Sequence, residues 1–171
     1  MKQNNRRSDR NEQKKDALEE STISVNRNCK ATKGGRAFSF QAVIVVGDRK
    51  GKIGLGSGKA GEVAEAIKKA KEDAVRNAVT LNFETVDGHK QLYHEDTGVC
   101  GGARVLVRPA KPGTGLRAGG AIRTILELAG VTNVTTKSLG SKQAFNVAQA
   151  TLIALSNQKN VKEFVSLREG K

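Results

Sequence analysis

The run RAFSFQAVIVVGD, Arg36–Asp48, constrains the fold of this chain more than any other stretch. Most of its residues are β-branched, aromatic or small and show no helical period, so the run reads as a strand. Side chains alternate along a strand, which puts Phe38, Phe40, Ala42, Ile44 and Val46 on one face, while Val43 and Val45 begin to cover the other. Upstream, TISVNRNCK alternates from Thr22 and reads as a strand with Ile23 and Val25 on one face; ATKGG is the loop between them. Downstream, GDRKGK is a hairpin turn with Gly51 free to take a positive φ, and KIGLGS is a short strand. A helix is expected over Glu62–Val79, because Val63, Ala66, Ile67, Ala70, Ala74, Val75 and Ala78 recur at helical spacing. Phe38 and Phe40 are expected in the core beneath that helix. The result is a β-β-β-α unit with antiparallel hairpins, closing near Phe83 and needing no strand from the rest of the chain.

The acidic, turn-rich ETVDGHKQLYHEDTG leads into a second unit. GARVLVRP is a strand ended by Pro109, and AKPGTGLRAGG is a basic glycine-rich loop opening onto the helix AIRTILELAG, which Gly130 stops as a C-cap. VTNVTTKSL is strand-like, and a longer helix over about Ser141–Asn157 buries Ala144, Phe145, Ala148, Leu152 and Leu155. Asn160 starts a short last helix carrying Phe164 and Val165. This second unit reads β-α-β-α. The fold class is therefore α+β in two small domains, residues 21–86 and 87–171, behind a polar tail, residues 1–20, expected to be disordered.

Charge narrows the partners. The net charge is +13, and it is unevenly placed. Arg27–Lys71 holds eleven basic residues against three acidic ones, and residues 101–171 hold eleven against three. Residues 72–100, with two basic and six acidic, form an acidic hinge between them. Two basic segments flanking an acidic one suit a polyanion gripped at two places. No apolar run approaches the roughly 20 residues of a membrane helix, and the acid-containing start has no leader-like stretch, so neither a membrane span nor export is expected. Cys29 and Cys100 imply no disulfide framework. His89 and His94 before Cys100 match no common zinc spacing, and no GxSxG or HExxH is present. No catalytic residue, metal, cofactor or small-molecule substrate is expected.

Glycine beside cations recurs three times. In KGGRAFSF, Gly34 and Gly35 sit between Lys33 and Arg36, with Thr32 before them and Arg27 and Lys30 on the strand leading in. Backbone amides and positive charge brought together this way suit phosphates. The likeness of KGGRAFSF to a base-stacking signature is thin, since Gly35, Arg36 and Ala37 stand where an aromatic, a small residue and an aromatic belong, and aromatics are only 4% of the chain. Folded, paired RNA is the better match than unstacked bases. The turn between the next strands adds Arg49, Lys50 and Lys52. GSGKAG, Gly56–Gly61, matches GxGxxG, yet KIGLGS is too polar for a buried parallel strand and Ala60 follows Lys59 where a phosphate loop needs Ser or Thr. Gly56, Gly58 and Lys59 are read instead as a phosphate approach at a helix N-terminus, with tight strand–helix packing as the alternative. Lys111 and Arg117 flank glycines at the second such site.

Taken together, SVNRNCKATKGGRAFSFQAVIVVGD, GKIGLGSGKAGEVAEAIKKA and GTGLRAGGAIRTILELAGV resemble the S5 family of small-subunit ribosomal proteins in its bacterial form, over roughly residues 22–168. The resemblance implies a double-stranded-RNA-binding-like N-terminal domain, a C-terminal α/β domain, and a structural, non-enzymatic role in the cytoplasm. The partners it implies are small-subunit ribosomal RNA, the neighbours S4 and S8, and messenger RNA near its entry path, with an influence on decoding accuracy. Thr32–Arg36 looks like the family loop that enters the head–neck region of the RNA beside the spectinomycin site. Gly115 and Arg123 stand where the family meets S4 and where accuracy phenotypes arise. The polar tail and Pro112 depart from the family pattern. The other readings are a free double-stranded-RNA-binding regulator and a nucleotide-binding enzyme.

Overall fold

A computed structural model describes residues 18–86 and 89–159, together with Val165, Leu167 and Arg168. Residues 1–17 of the expected tail and most of the expected last helix lie outside the described residues. The first unit forms as β1 (Glu19–Thr32), β2 (Gly35–Gly47), β3 (Lys52–Ala60) and α1 (Val63–Arg76), closed by the two-residue β4 (Val79–Thr80). Its antiparallel sheet runs in the order β1-β2-β3-β4. Gly51 takes φ +111° in the β2–β3 turn, where the Asp48 carboxylate accepts the Lys50 and Lys52 amides.

Two boundaries and one face differ from the sequence reading. β1 starts at Glu19 rather than Thr22, because the ladder continues to Gly47 and the two glutamates find partners in Arg49 and Lys71. A register shift between Thr22 and Ser24 takes Ile23 into the core while Val25 is 41% exposed, so the two do not share a face. α1 ends at Arg76 because Val79 enters β4.

The second unit carries more strands than β-α-β-α. A small hairpin, β5 (Glu84–Val86) with β6 (His89–Gln91), precedes β7 (Asp96–Cys100) and β8 (Ala103–Pro109). β9 (Leu116–Arg117), α2 (Gly120–Ala129), β10 (Val134–Gly140) and α3 (Ala144–Ser156) follow. The sheet order is β7-β8-β10-β9, with β9 parallel to β10. β7 escapes sequence reading because DTGVC has a glycine at its centre. That glycine, Gly98, is where α3 lies closest: a Cβ there would overlap the Ala150 carbonyl. Gly130 caps α2 in the left-handed conformation, φ +79°.

β2 is buried on both faces. Ala42, Ile44 and Val46 pack with Ala60 against Ala66, Ala70 and Ala74 of α1. Val43 and Val45 join Ile53 and Leu55 in a larger cluster that includes Val105, Val107, Ile125, Leu126, Leu128 and Leu155 of the second unit. Burying a valine contributes about 1.5–3 kcal/mol, so this pair alone matches a good share of a domain's net stability. The acidic segment is no hinge, since Leu81 and Leu92 are buried in the same cluster. Backbone seals the junction: the Arg49 amide donates to the Leu128 carbonyl at 2.9 Å.

The glycines of β3 explain how α1 lies so close. A Cβ on Gly54 would strike the backbone of Ala74, on Gly56 that of Ala70 and Ala74, and on Gly58 that of Ala66 and Ala70. Two strand residues advance about 6.6 Å and four helix residues about 6.0 Å. The glycine rungs therefore keep step with the alanine rungs along the whole contact. Gly56 and Gly58 are buried inside β3, not presented at the N-terminus of α1, which corrects their assignment to a phosphate cradle and makes them packing residues. Gly56→Ala is expected to lower the unfolding free energy by about 3 kcal/mol, because the overlap is with backbone that cannot rotate away. Gly34→Ala, with nothing within 4 Å of its Cβ position, should stay within about 0.5 kcal/mol of the parent. Urea unfolding midpoints of the two variants check this contrast.

Candidate nucleic-acid interface

Beyond the pair Phe40–Ala60, β3 ends and only β1 and β2 continue. They run on for about 17 Å, at 3.3 Å per residue, as a two-stranded arm. Every residue from Cys29 to Phe38 on it is exposed. The reversal is tighter than ATKGG suggested: Thr32 pairs with Gly35, leaving Lys33 and Gly34 as the turn. Gly35 takes φ +146°, which L side chains rarely adopt, and the Thr32 hydroxyl donates to its carbonyl at 3.0 Å. Among the described residues, no ion pair uses Arg27, Lys30, Lys33 or Arg36. The arm holds its cations away from the body with no acidic partner in the described chain.

Phe38 is not in the core. It is 48% exposed, because α1 and β3 end before reaching it, and its ring carries the Arg27 guanidinium 3.7 Å above its centroid. Phe40, two pairs nearer the body, is half-buried against the α1 cluster. The mismatch between a 13-residue β2 and a 9-residue β3 marks where the cover stops.

The other basic positions are elsewhere. Arg49, Lys50 and Lys52 lie at the opposite end of β2, about 40 Å along the strand from the tip. Arg49 sits at φ +55° with its guanidinium on Glu19 at 2.7 Å, and its carbonyl accepts the Lys90 ammonium at 3.2 Å. Its backbone lies at the junction of the two units, while its side chain, 66% exposed, is paired with Glu19 at the surface. Lys50 is exposed and Lys52 half-buried. Lys59 is exposed at the base of the arm, opposite Gln41.

The loop before α2 forms a second cationic surface. Lys111–Thr114 is a turn in which the Thr114 amide donates to the Lys111 carbonyl at 3.1 Å. Pro112 precedes Gly113 at φ +86°, the arrangement a type II turn requires. Gly115, φ +70°, donates its amide to the buried Asn133 side chain at 3.2 Å and accepts from the Val134 amide. Lys111 and Arg117 are exposed. Gly119 caps α2 without a side-chain bond, so the first amides of the helix face outward. Gly119–Ile122 line a cavity of about 380 Å³ together with Ser138 and Lys142, two residues the sequence did not single out. Arg123 is on the first turns of α2, with its guanidinium on Glu127 at 2.8 Å. Arg108 is likewise committed: Glu95 at 2.6 Å holds it above the ordinary arginine range and is itself held below the usual carboxylate range.

Among the described residues no group of His, Cys, Asp and Glu is placed to hold a metal, and no helix is long and apolar enough to cross a membrane. Cys29 and Cys100 are free.

Residues 18–82 match the family described as ribosomal protein S5, N-terminal domain. Residues 98–168 match ribosomal protein S5, C-terminal domain. The chain is also 44% identical over 155 residues to the small ribosomal subunit protein uS5 of Picosynechococcus sp., covering 91% of this chain and 88% of that relative. The matched segments fall on the two units that share the core, and the unmatched stretch spans the β5–β6 hairpin.

Asn133, 4% exposed, is the internal brace of the second loop. Asn133→Ala leaves the Gly115 amide without its acceptor and is expected to cost about 1–3 kcal/mol. Trypsin should then cleave after Arg117 faster than in the parent, as gel time courses would show; the Lys111–Pro112 bond is not a trypsin site. Unchanged cleavage would mean that the Pro112–Gly113 turn holds the loop by itself.

Proposed function

Because the chain belongs to the ribosomal protein S5 family, and so is a non-enzymatic constituent of the small ribosomal subunit with ribosomal RNA and other ribosomal proteins as partners, we propose that its β1–β2 arm is the main RNA contact. The observation that carries this is the arm itself: a ribbon too thin to bury anything, exposed from Cys29 to Phe38, with Lys30, Lys33 and Arg36 outside the ion pairs of the described chain. Such a ribbon reaches into a crowded RNA junction that a globular surface cannot enter. Thr32–Arg36 is the segment proposed to lie in the head–neck region beside the spectinomycin site. Lys30, Lys33, Arg36 and Lys59 neutralise phosphates, and Lys50 and Lys52 reach a separate RNA segment from the far end of β2.

The second loop is the protein-facing surface in this proposal. Gly115 and Arg123 meet S4, and Lys111 and Arg117 touch RNA at its border; S8 is the other protein neighbour, and messenger RNA passes nearby on its entry path. A fixed arm and a braced loop on one body couple the RNA junction to the S4 contact, which is how the protein would influence decoding accuracy. The two proposed domains, residues 21–86 and 87–171, then act as one piece.

Sedimentation separates this role from that of a free double-stranded-RNA-binding regulator. Co-migration with small subunits through a high-salt wash is expected, and a wholly soluble pool would contradict the ribosomal arm contact. Charge makes a finer prediction. Lys33→Glu and Arg36→Glu should leave stability within about 0.5 kcal/mol, as exposed substitutions do, yet weaken incorporation and change the spectinomycin response. Each lost phosphate contact flattens the slope of log affinity against log salt by about 0.7–0.9. Arg36→Ala should show that change, whereas Arg49→Ala, at the junction with Glu19, should leave the slope as it is. Filter binding across a salt series reads both.

A further inference from the structure

Among the exposed large apolar side chains of the described residues, Phe38 is the aromatic one, and the Arg27 guanidinium lies over its ring. We propose that Arg27 and Phe38 form a stacking platform for an unpaired nucleobase, a reading that rests on the arm being an RNA contact. Pairing of Cys29 with Phe38 and Arg27 with Phe40 places all four side chains on one face of the ribbon. That face is the one α1 covers further in, where Phe40 meets the alanine cluster. At Phe38 the cover has ended. The ring therefore contributes little to the core, and the two-stranded arm has no layer with which to bury it.

The chemistry of the pair fits a base. A guanidinium is planar and weakly hydrated, and it stacks on aromatic faces while leaving its second face open to another flat π system. The Arg27 Cζ atom lies 3.7 Å from the Phe38 ring centroid, so the guanidinium is already placed over the ring. Lys30, Lys33 and Arg36 on the same arm supply the attraction to phosphate that brings a strand within reach. A paired helix hides its base faces, whereas bulges, loops and junctions offer them. An acidic peptide would be drawn to the same cations but would have no use for the ring.

The test uses the full chain and small-subunit ribosomal RNA. Phe38→Leu keeps an apolar side chain of similar reach and removes the ring; Arg27→Lys keeps the charge and removes the plane. Each should weaken binding about 5- to 140-fold, the measured range for loss of one stacked base. The slope on log salt should stay at the parental value, and Phe38→Trp should bind at least as well as the parent. Parental affinity in both Phe38→Leu and Arg27→Lys would overturn the platform. A flatter salt slope in Arg27→Lys would make Arg27 a phosphate contact instead, and a melting temperature lowered by several degrees in Phe38→Leu would make the ring a structural residue. If Phe38→Leu binds normally while Lys33→Glu and Arg36→Glu do not, the arm contacts RNA by charge and the stacking proposal alone fails. A flat salt dependence in the parent would remove the RNA reading as well.

Discussion

The molecule depends on β2 being apolar on both faces. A sheet with one dry face would have made a self-contained unit with α1. Val43 and Val45 on the opposite side create a demand that α1 cannot meet, and α2 meets it with Leu126 and Leu128. The close backbone contact at Gly47 and Leu128 shows how little slack remains: a Cβ on Gly47 would come within 2.9 Å of the Leu128 Cβ. Two segments with separate family matches are thereby joined into one cluster, and the acidic stretch between them is drawn in through Leu81 and Leu92.

The same strand shows what sequence could and could not tell. Its alternation and β-branched run are local properties, so β2 and its α1-facing residues were legible, as were the amphipathic helices and the Gly130 cap. The second buried face was written there too, in Val43 and Val45, but nothing local says which distant element covers it. Glycine was harder. Gly35 and Gly56 are chemically identical, yet one permits an unusual φ at an exposed turn and the other lets a helix touch a strand. The clue was relational: glycine at every second position of β3 against alanine at every fourth position of α1. Phe38 was misplaced for a related reason. Period-two alternation assigns a face to a residue, but not the point along the strand where the covering layer ends.

The candidate contact surface was legible as charge and not as geometry. Eleven basic residues between Arg27 and Lys71 looked like one patch. Folding distributes them: the arm carries one group and the far end of β2 another, while Lys71 and Arg49 turn to Glu20 and Glu19. Net charge is fixed by composition, whereas the charge available to a partner depends on which ion pairs the chain makes internally. The glutamates at the start of β1 are what subtract Arg49 and Lys71 from that total.

One strand serving both as core and as stem of the arm has a mechanical consequence. From the last β3 pair at Phe40 to the turn is about 17 Å of two-stranded ribbon, clamped only at its base. A tilt of about 5° where Gly47 abuts Leu128, about 40 Å along β2 from the tip, would swing the tip by about 3.5 Å, somewhat more than the length of a hydrogen bond. The protein is in effect a pointer mounted on its own hydrophobic interior. Its accuracy at the far end is set by side-chain volumes near the pivot, so a conservative change at Val43 or Leu128 can redirect a tip it never touches.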